Sequence, residues 1–187
     1  MSSLISDDYV IRAIRADEWP AVRRLRLDAL RDPVAPLAFL DTYEDAAARA
    51  DSFWQERAAN SAENATGVRQ LIAEASDGEW VGTVTVLVEE AGSTDWAGFP
   101  VERRQAHVVG VFVRPEHRGN GLIKALFEAG LEWAWERGAE RVRLLVHEDN
   151  SRAQAAYRKV GFAPSGVTVA LAGDTGEQEL EFVLPRS

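Results

Sequence analysis

The chain contains no cysteine among its 187 residues. It therefore has no disulfide, no thiol nucleophile and no metal site built on cysteine ligands. No apolar run approaches the roughly eighteen residues that a membrane-spanning helix needs, and the polar start, MSSLISDDY, lacks the hydrophobic region of a signal peptide. We expect a cytoplasmic protein that does not enter a membrane.

Basic residues are too few to balance the acidic ones. Lysine and arginine together number 21 against 30 aspartates and glutamates, so the formal net charge is −9. A protein that binds nucleic acid needs a basic face that neutralises phosphates, so nucleic acid is disfavoured as the main partner. A cationic substrate fits this charge better, although many proteins are acidic merely for solubility.

Length and hydrophobic patterning predict one α/β domain over residues 1–187. With 46% hydrophobic residues the chain can bury a real core, but it is short for two domains. The pattern predicts the following elements: a strand at 9–15, a helix capped by Asp17 that ends at Asp32-Pro33, a helix from about 42 to 60, two strands joined by a turn at 76–78, a loop at 91–105, a strand at 106–113, a helix at about 119–137, a strand at 141–147, a helix ending at Gly161 and two final strands. This alternation predicts a mixed sheet.

The segment VFVRPEHRGNGLIKAL (111–126) has the pattern of an anion-binding turn. A β-branched run leads through two glycines into a helix, whose first N–H groups are unpaired and lie at the positive end of the helix dipole. A nucleotide-binding P-loop is excluded because Lys124 follows Ile123 and precedes Ala125, and a dinucleotide fingerprint lacks its third glycine. The segment therefore predicts diphosphate binding by main-chain groups, without a metal.

The segment VHEDNSRAQAAYRKVGF (146–162) predicts a short capped helix. Asn150 and Ser151 are good caps, Gly161 ends the helix, and Tyr157 lies on its apolar face. Taken by itself, this tyrosine could simply pack in the core.

Together the two segments resemble the GNAT superfamily of acyl-CoA N-acyltransferases. The family pattern R/Q-x-x-G-x-G/A lies over residues 118–123 and departs only at Ile123. The pattern N-x-x-A-x-x-x-Y-x-x-x-G-F is complete over residues 150–162. The two motifs cover about the C-terminal half of the chain.

The resemblance implies a GNAT fold, with about seven strands, four helices and a splayed pair of strands at the cofactor site. Residues of about 106–187 would bind acetyl-CoA as co-substrate, and residues of about 1–105 would form the substrate side. The implied cofactor-binding residues are Val111, Phe112, Val113, Arg118, Gly119, Asn120, Gly121, Leu122, Ile123, Lys124, Asn150 and Tyr157. Arg118 and Lys124 could equally be solvated cations.

The resemblance also implies catalytic roles. Tyr157 matches the general acid that protonates the departing sulfur, and a main-chain N–H near 111–113 would polarise the thioester carbonyl. His107 matches a strand position at which many relatives carry a general base, and a free imidazole titrates near pH 6.5. The alternative is a half-buried strand histidine with a packing or hydrogen-bonding role.

The acceptor is predicted from the variable first half. Leu145 stands where enzymes that acetylate ribosomal protein N-termini typically carry a glutamate, which disfavours that activity. The N-terminal helices and the 91–105 loop predict an aromatic and acidic pocket for a small amine, drawn from Trp19, Tyr43, Trp54, Trp96, Phe99, Asp41, Glu44, Asp45 and Asp95. We expect an N-acetyltransferase that acts on a small-molecule amine, and the resemblance implies a homodimer. The alternatives are a lysine or peptide acetyltransferase and a non-catalytic acyl-CoA sensor.

Overall fold

The computed structural model describes residues 3–6, 8–171 and 176–187. Met1, Ser2 and Asp7, which belong to the polar start used above to predict the cellular location, lie outside the described residues. None of the helices in the described ranges has the length and apolar character needed to cross a bilayer.

One mixed sheet organises the chain. Its order is β1-β2-β3-β4-β5-β6-β8-β7, and all neighbours are antiparallel except β5 and β6. The strands are β1 (Ser3–Ser6), β2 (Tyr9–Ala13), β3 (Val68–Ala75), β4 (Trp80–Glu89), β5 (Gln105–Val113), β6 (Arg141–His147), β7 (Ala163–Ala170) and β8 (Gln178–Pro185). The helices are α1 (Trp19–Leu30), α2 (Ala35–Ala38), α3 (Tyr43–Ala47), α4 (Asp51–Ser61), α5 (Leu122–Glu136) and α6 (Ser151–Val160).

The predicted α/β class, the mixed sheet and the C-terminal elements are confirmed. The sheet has eight strands in the described chain instead of about seven, because the short β1 pairs with β2 at one edge. The helix predicted at about 42–60 is interrupted, since Ala50 is extended (φ −67°, ψ 157°) and separates α3 from α4. Helical propensity in this alanine-rich stretch is a weak preference that tertiary packing overrides.

Asp17 does not cap the first helix, contrary to the prediction. A 3₁₀ turn at Ala16–Glu18 precedes α1, and no side chain caps α1. Glu18 instead accepts a hydrogen bond from the Arg15 N–H at 2.8 Å and from the Arg12 guanidinium at 2.7 Å. The ion pair to β2 therefore decides how the chain enters α1.

The helices cover both faces of the sheet. On one face α5 packs against β3 and β4, and Gly130 allows this approach because an added Cβ would lie 3.0 Å from a Val86 methyl carbon. On the other face α1 and α4 enclose a second core, which includes Leu25, Trp54 and Ile72.

The predicted splay between β5 and β6 is confirmed. The two strands pair only at Ala106, His107 and Val108, and β5 continues to Val113 without a partner on that side. On its other side β5 has an irregular register opposite Thr83 and Thr85, close to Gly110, whose φ is +65°. The divergence opens a gap in the middle of the sheet.

Candidate active site

The turn before α5 forms a nest of unpaired main-chain donors. Gly119 and Gly121 have left-handed φ values of +85° and +76°, a conformation that other residues rarely adopt. The N–H groups of residues 119–124 donate no hydrogen bond to any described residue. The donors converge at a helix N-terminus, so the turn fits a diphosphate, as its sequence predicts.

The charged side chains of this segment have other protein partners. The Arg118 guanidinium binds the Asp32 carboxylate at 2.7 Å and donates from Nε to the Val113 carbonyl at 2.9 Å. Lys124 is exposed, and its Nζ lies 3.8 Å from a carboxylate oxygen of Glu128. Arg118 thus ties the turn to β5 and to the end of α1, which sequence reasoning did not foresee.

A channel of about 250 Å³, here called the α5 channel, runs from this turn along the splayed strand. It is lined by Val111, Phe112, Val113, Arg118, Gly119, Ile123, Asn150, Arg152, Ala153, Ala156 and Tyr157, with Asp32, Val34, Ala35, Ala38 and Phe39 opposite. Sequence reasoning missed Arg152, because position 152 in the first turn of α6 does not reveal which surface the side chain reaches.

The free edge of β5 faces this channel. The Arg114 N–H donates to the Val81 carbonyl on β4 at 2.8 Å, so Arg114 faces β4. Main-chain groups alternate in direction along a strand, so Val111 and Val113 turn theirs toward the gap. The Val113 carbonyl already accepts from Arg118, so the Val111 groups and the Val113 N–H are the ones available to bind an extended polar chain.

Tyr157 lines both the α5 channel and a second, larger cavity. Its ring packs 5.5 Å from that of Phe127, and only 8% of the residue is exposed. Burial raises the pKa of the phenol, so the group stays protonated across the neutral range. Asn150 caps α6 as predicted, since its Oδ1 accepts from the Ala153 N–H at 3.3 Å, and it lines both cavities as well.

His107 lines the same second cavity but is almost fully buried. It is 1% exposed, its Nδ1 has no hydrogen-bond partner among the described residues, and the nearest carboxylate oxygen of Glu89 is 3.9 Å away. Burial, together with the neighbouring Arg143, lowers the pKa of His107 to about 3. The imidazole is therefore neutral at physiological pH and a weak proton acceptor.

The second cavity, here called the arginine cavity, has a volume of about 460 Å³ and opens beside Tyr157. Its lining contains three arginines, Arg26, Arg49 and Arg57, together with two carboxylates, Asp41 and Glu179. Aliphatic and aromatic groups complete it, among them Phe39, Leu40, Trp96, Val109, Leu144 and Leu145.

The predicted aromatic and acidic pocket is therefore wrong. Of its members only Trp96 and Asp41 reach the cavity. Trp54 is fully buried, Trp19 and Tyr43 line a separate surface depression, and Asp95 is paired with Arg143. The amphipathic pattern indicated which residues are apolar, but it could not show that the arginines of α1 and α4 turn toward the sheet.

No cluster of three or more histidine, aspartate or glutamate side chains with the arrangement of a metal site occurs in the described part of the chain. The candidate site therefore consists of a main-chain nest, a channel, a buried phenol and a cavity with an excess of guanidinium groups.

Comparisons with known proteins agree with this geometry. The sequence profile of the acetyltransferase (GNAT) family matches residues 19–162. An L-amino acid N-acetyltransferase of Escherichia coli is 28% identical over 174 residues, which cover 91% of this chain and 92% of the relative. A solved protein of Salmonella typhimurium with its cofactor acetyl-CoA superposes with a TM-score of 0.66 at 16% identity, over 96% of this chain and 94% of that one.

Similarity over a shorter stretch extends to longer proteins. A mycothiol acetyltransferase of Saccharomonospora viridis is 43% identical over 92 residues, or 49% of this chain. The chain spans only 29% of that relative's length.

Proposed function

The chain belongs to the acetyltransferase (GNAT) family, and we propose that it transfers the acetyl group of acetyl-CoA to a primary amine of a small molecule. The observation that carries this proposal is the position of Tyr157, whose protonated phenol stands where the α5 channel meets the arginine cavity. A thioester sulfur in the channel and an amine in the cavity would meet at this residue.

Binding of acetyl-CoA would use mainly the main chain. The N–H groups of residues 119–124 suit the diphosphate, and Arg152 adds a positive charge along the α5 channel. The pantetheine amides would pair with the free edge of β5 at Val111 and Val113, which continues the strand pairing that stops at Val108. The second half of the chain would therefore hold the cofactor, and the first half would shape the acceptor side.

The reaction would proceed by direct attack in a ternary complex. The amine nitrogen forms a bond to the thioester carbonyl carbon, and the carbon–sulfur bond breaks. The amine gives up a proton, and the departing sulfur receives one from the Tyr157 hydroxyl. A main-chain N–H at 111–113 would stabilise the negative charge that develops on the carbonyl oxygen.

The proton acceptor has two candidates. His107 remains a prediction, although its lowered pKa of about 3 makes proton uptake from an ammonium unfavourable. Glu179 on β8 lines the arginine cavity, and partial burial raises the pKa of its carboxyl. We propose Glu179 as the acceptor because a raised carboxyl pKa strengthens the base and no described residue competes for it through a hydrogen bond.

A small acceptor is supported by the shape of the site. A lysine or peptide acetyltransferase would present a shallow open groove, whereas this site is a cavity of about 460 Å³ with α2 and Trp96 of the 90–104 loop among its walls. The relatives named above include acetyltransferases of mycothiol and of L-amino acids. Both names are consistent with small acceptors for this chain.

The proposal is tested by calorimetric titration with acetyl-CoA and by a thiol-release screen over polyamines, aminoglycosides, amino acids and short peptides. We expect binding and release with one amine class. Tyr157→Phe should retain binding and lose about 10²- to 10⁴-fold in turnover. Binding without release from any amine would favour the sensor, and an unchanged rate in Tyr157→Phe would remove the acid role.

A further inference from the structure

Three guanidinium groups reach the arginine cavity from separate elements. Arg26 belongs to α1, Arg57 to α4, and Arg49 to the short connection before α4. All three are partly buried, and they line the cavity together with the sheet residues Val108, Val109 and Leu144. None of them lines the α5 channel, so they are separate from the turn proposed to bind the diphosphate.

Two of these arginines have no carboxylate in direct contact among the described residues. Arg49 lies 3.3 Å from a carboxylate oxygen of Asp41. The guanidinium groups of Arg26 and Arg57 make no hydrogen bond and no ion pair within 4 Å with any described residue, and they feel the charge of Asp41 only at longer range. The Nε of Arg26 is buried without an acceptor. Aromatic rings support the two guanidinium groups instead, Phe39 at 4.6 Å from Arg26 and Trp54 at 5.9 Å from Arg57.

This arrangement is electrostatically unfavourable in the free protein. Burial and the neighbouring Arg57 lower the pKa of Arg26 to about 10, and burial and Arg49 lower that of Arg57 as well. Both groups remain charged at neutral pH, so the protein holds two like charges close together in a poorly solvated place. An anion that enters the cavity would satisfy the unpaired donors and offset the repulsion.

The charge balance of the cavity indicates which anion fits. Three guanidinium groups face two carboxylates, Asp41 and Glu179, and the raised pKa of Glu179 leaves that carboxyl less than fully charged over part of the acidic range. The excess is close to a single positive charge. A monoanionic carboxylate matches this excess better than a phosphate dianion, and its two oxygens suit the planar fork of a guanidinium.

We propose that Arg26 and Arg57 bind a carboxylate of the acceptor, so that the substrate is a small amino carboxylate with its amine directed toward Tyr157. This inference rests on the proposed transferase function. The sequence favours a cationic acceptor, whereas this acceptor carries an ammonium group and a carboxylate. Recognition of the carboxylate is assigned to residues of α1 and α4.

The test compares acceptors that differ only in the carboxylate. L-amino acids, β-alanine and γ-aminobutyrate are each assayed by thiol release against the corresponding carboxamide. We expect kcat/KM for the best acid to exceed that for its amide by about 10- to 100-fold, as for hydrogen bonds to a charged group. Equal kcat/KM values for the acid and its amide in the unmodified protein would by themselves overturn the proposal.

The residue assignment is tested with Arg26→Gln and Arg57→Gln. Each should raise KM for the acid about 10- to 100-fold while kcat changes little, and should leave the amide kinetics and acetyl-CoA affinity unaltered. Arg26→Lys retains the charge and should recover part of the affinity. Arg24→Gln is the matched control, because Arg24 is exposed on the same helix and does not line the cavity.

Failure of this inference can be separated from failure of the transferase. Turnover of polyamines or aminoglycosides without preference for a carboxylate would overturn the inference alone. If no amine is acetylated, calorimetric titration with the amino carboxylates still decides: binding that is lost in Arg57→Gln and kept in Arg24→Gln supports the site, and absence of binding contradicts it.

Discussion

Burial raises the pKa of Tyr157 and lowers that of His107. It raises the pKa of Tyr157, so the phenol stays protonated but is a weaker acid than a solvated tyrosine. It lowers the pKa of His107 and thereby opposes the protonated state that a general base must reach. Both residues were predicted from motif positions, but a motif position carries no information on solvation, which decides what each group can do.

The proton acceptor is distinguished by the dependence of kcat/KM on pH. If Glu179 accepts the proton, activity should fall as pH decreases through its raised carboxyl pKa, because the protonated acid cannot act as base. Glu179→Gln should lose about 10²- to 10⁴-fold in turnover together with this acidic limb. His107→Asn should keep the limb, since burial lowers the pKa of His107 to about 3 and the imidazole is then not the group that titrates. The opposite pattern would restore His107 as the base.

The left-handed glycine before α5 should be sensitive to substitution. Gly121→Ala introduces no clash, but it places a side chain at φ +76°, so we expect a loss of about 1–2 kcal/mol in unfolding free energy. The affinity for acetyl-CoA should fall as well, because the turn presents the free N–H groups. Gly67→Ala is the control: an added Cβ there also contacts nothing within 4 Å, and its φ is ordinary. Urea denaturation and calorimetry measure both quantities, and equal behaviour of the two variants would contradict the role of the turn.

At the scale of elements, the 90–104 loop is held against the sheet by a buried ion pair. Asp95 binds Arg143 of β6 at 2.6 Å, and its other oxygen accepts from the N–H groups of Ala97 and Phe99. Arg143 is fully buried and also lies 2.7 Å from Glu181 on β8. Glu89 accepts from the Trp96 N–H at 2.6 Å. These contacts bring Trp96 to the arginine cavity, so the loop that appeared irregular in sequence forms part of its wall.

Removal of the loop's anchor should destabilise the whole protein. Asp95→Ala leaves a buried guanidinium with one partner fewer, and we expect a loss of up to about 3–5 kcal/mol in urea denaturation. Asp95→Asn keeps a side-chain oxygen that can accept from the N–H groups of Ala97 and Phe99, so it should lose less unfolding free energy. Glu140→Ala is the control, because its pair with Arg103 is 3.7 Å long and exposed, so its effect should stay within about 0.5 kcal/mol. A loss of similar size in both alanine variants would contradict the importance of the buried pair.

At the scale of the molecule, residues from both halves of the chain line the gap between β5 and β6. Pairing of β5 and β6 ends at Val108, and the gap beyond it becomes the α5 channel on one side and part of the arginine cavity on the other. The ion pair between Arg118 and Asp32 connects the turn before α5 to the end of α1. We therefore expect a ligand bound in the α5 channel to stabilise contacts made by both halves of the chain.

Acetyl-CoA should raise the melting temperature. At 100 times its dissociation constant a ligand adds about 2.7 kcal/mol to the stability of the folded state, and a domain of this size gains roughly 2–4 °C per kcal/mol. We therefore expect an increase of about 5–10 °C in a thermal-shift experiment. Adenosine, which lacks the diphosphate, serves as control and should produce no comparable shift. The absence of a shift with millimolar acetyl-CoA would contradict the proposed channel.

Local signals explain which elements were predictable. The two C-terminal helices and their caps were found because glycines and Asn150 act through their own backbone or their nearest neighbours. The helix at 42–60 and the cap at Asp17 were wrong, since distant ion pairs and the fully buried Trp54 and Ala46 decided the chain path there. Helix propensity describes only local preferences, so it could not reveal these contacts between distant residues.

The sequence by itself determined the α/β alternation, the glycine-containing turn before α5 and the positions of Tyr157 and Asn150, because these depend on periodicity, φ preference and short spacing. Only the tertiary structure decided the solvation of His107, the pairing of Arg118 with Asp32 and the gathering of Arg26, Arg49 and Arg57 around one cavity. Charge, burial and cavity lining arise from elements far apart in the chain, and their packing against one another sets the electrostatic environment of each group.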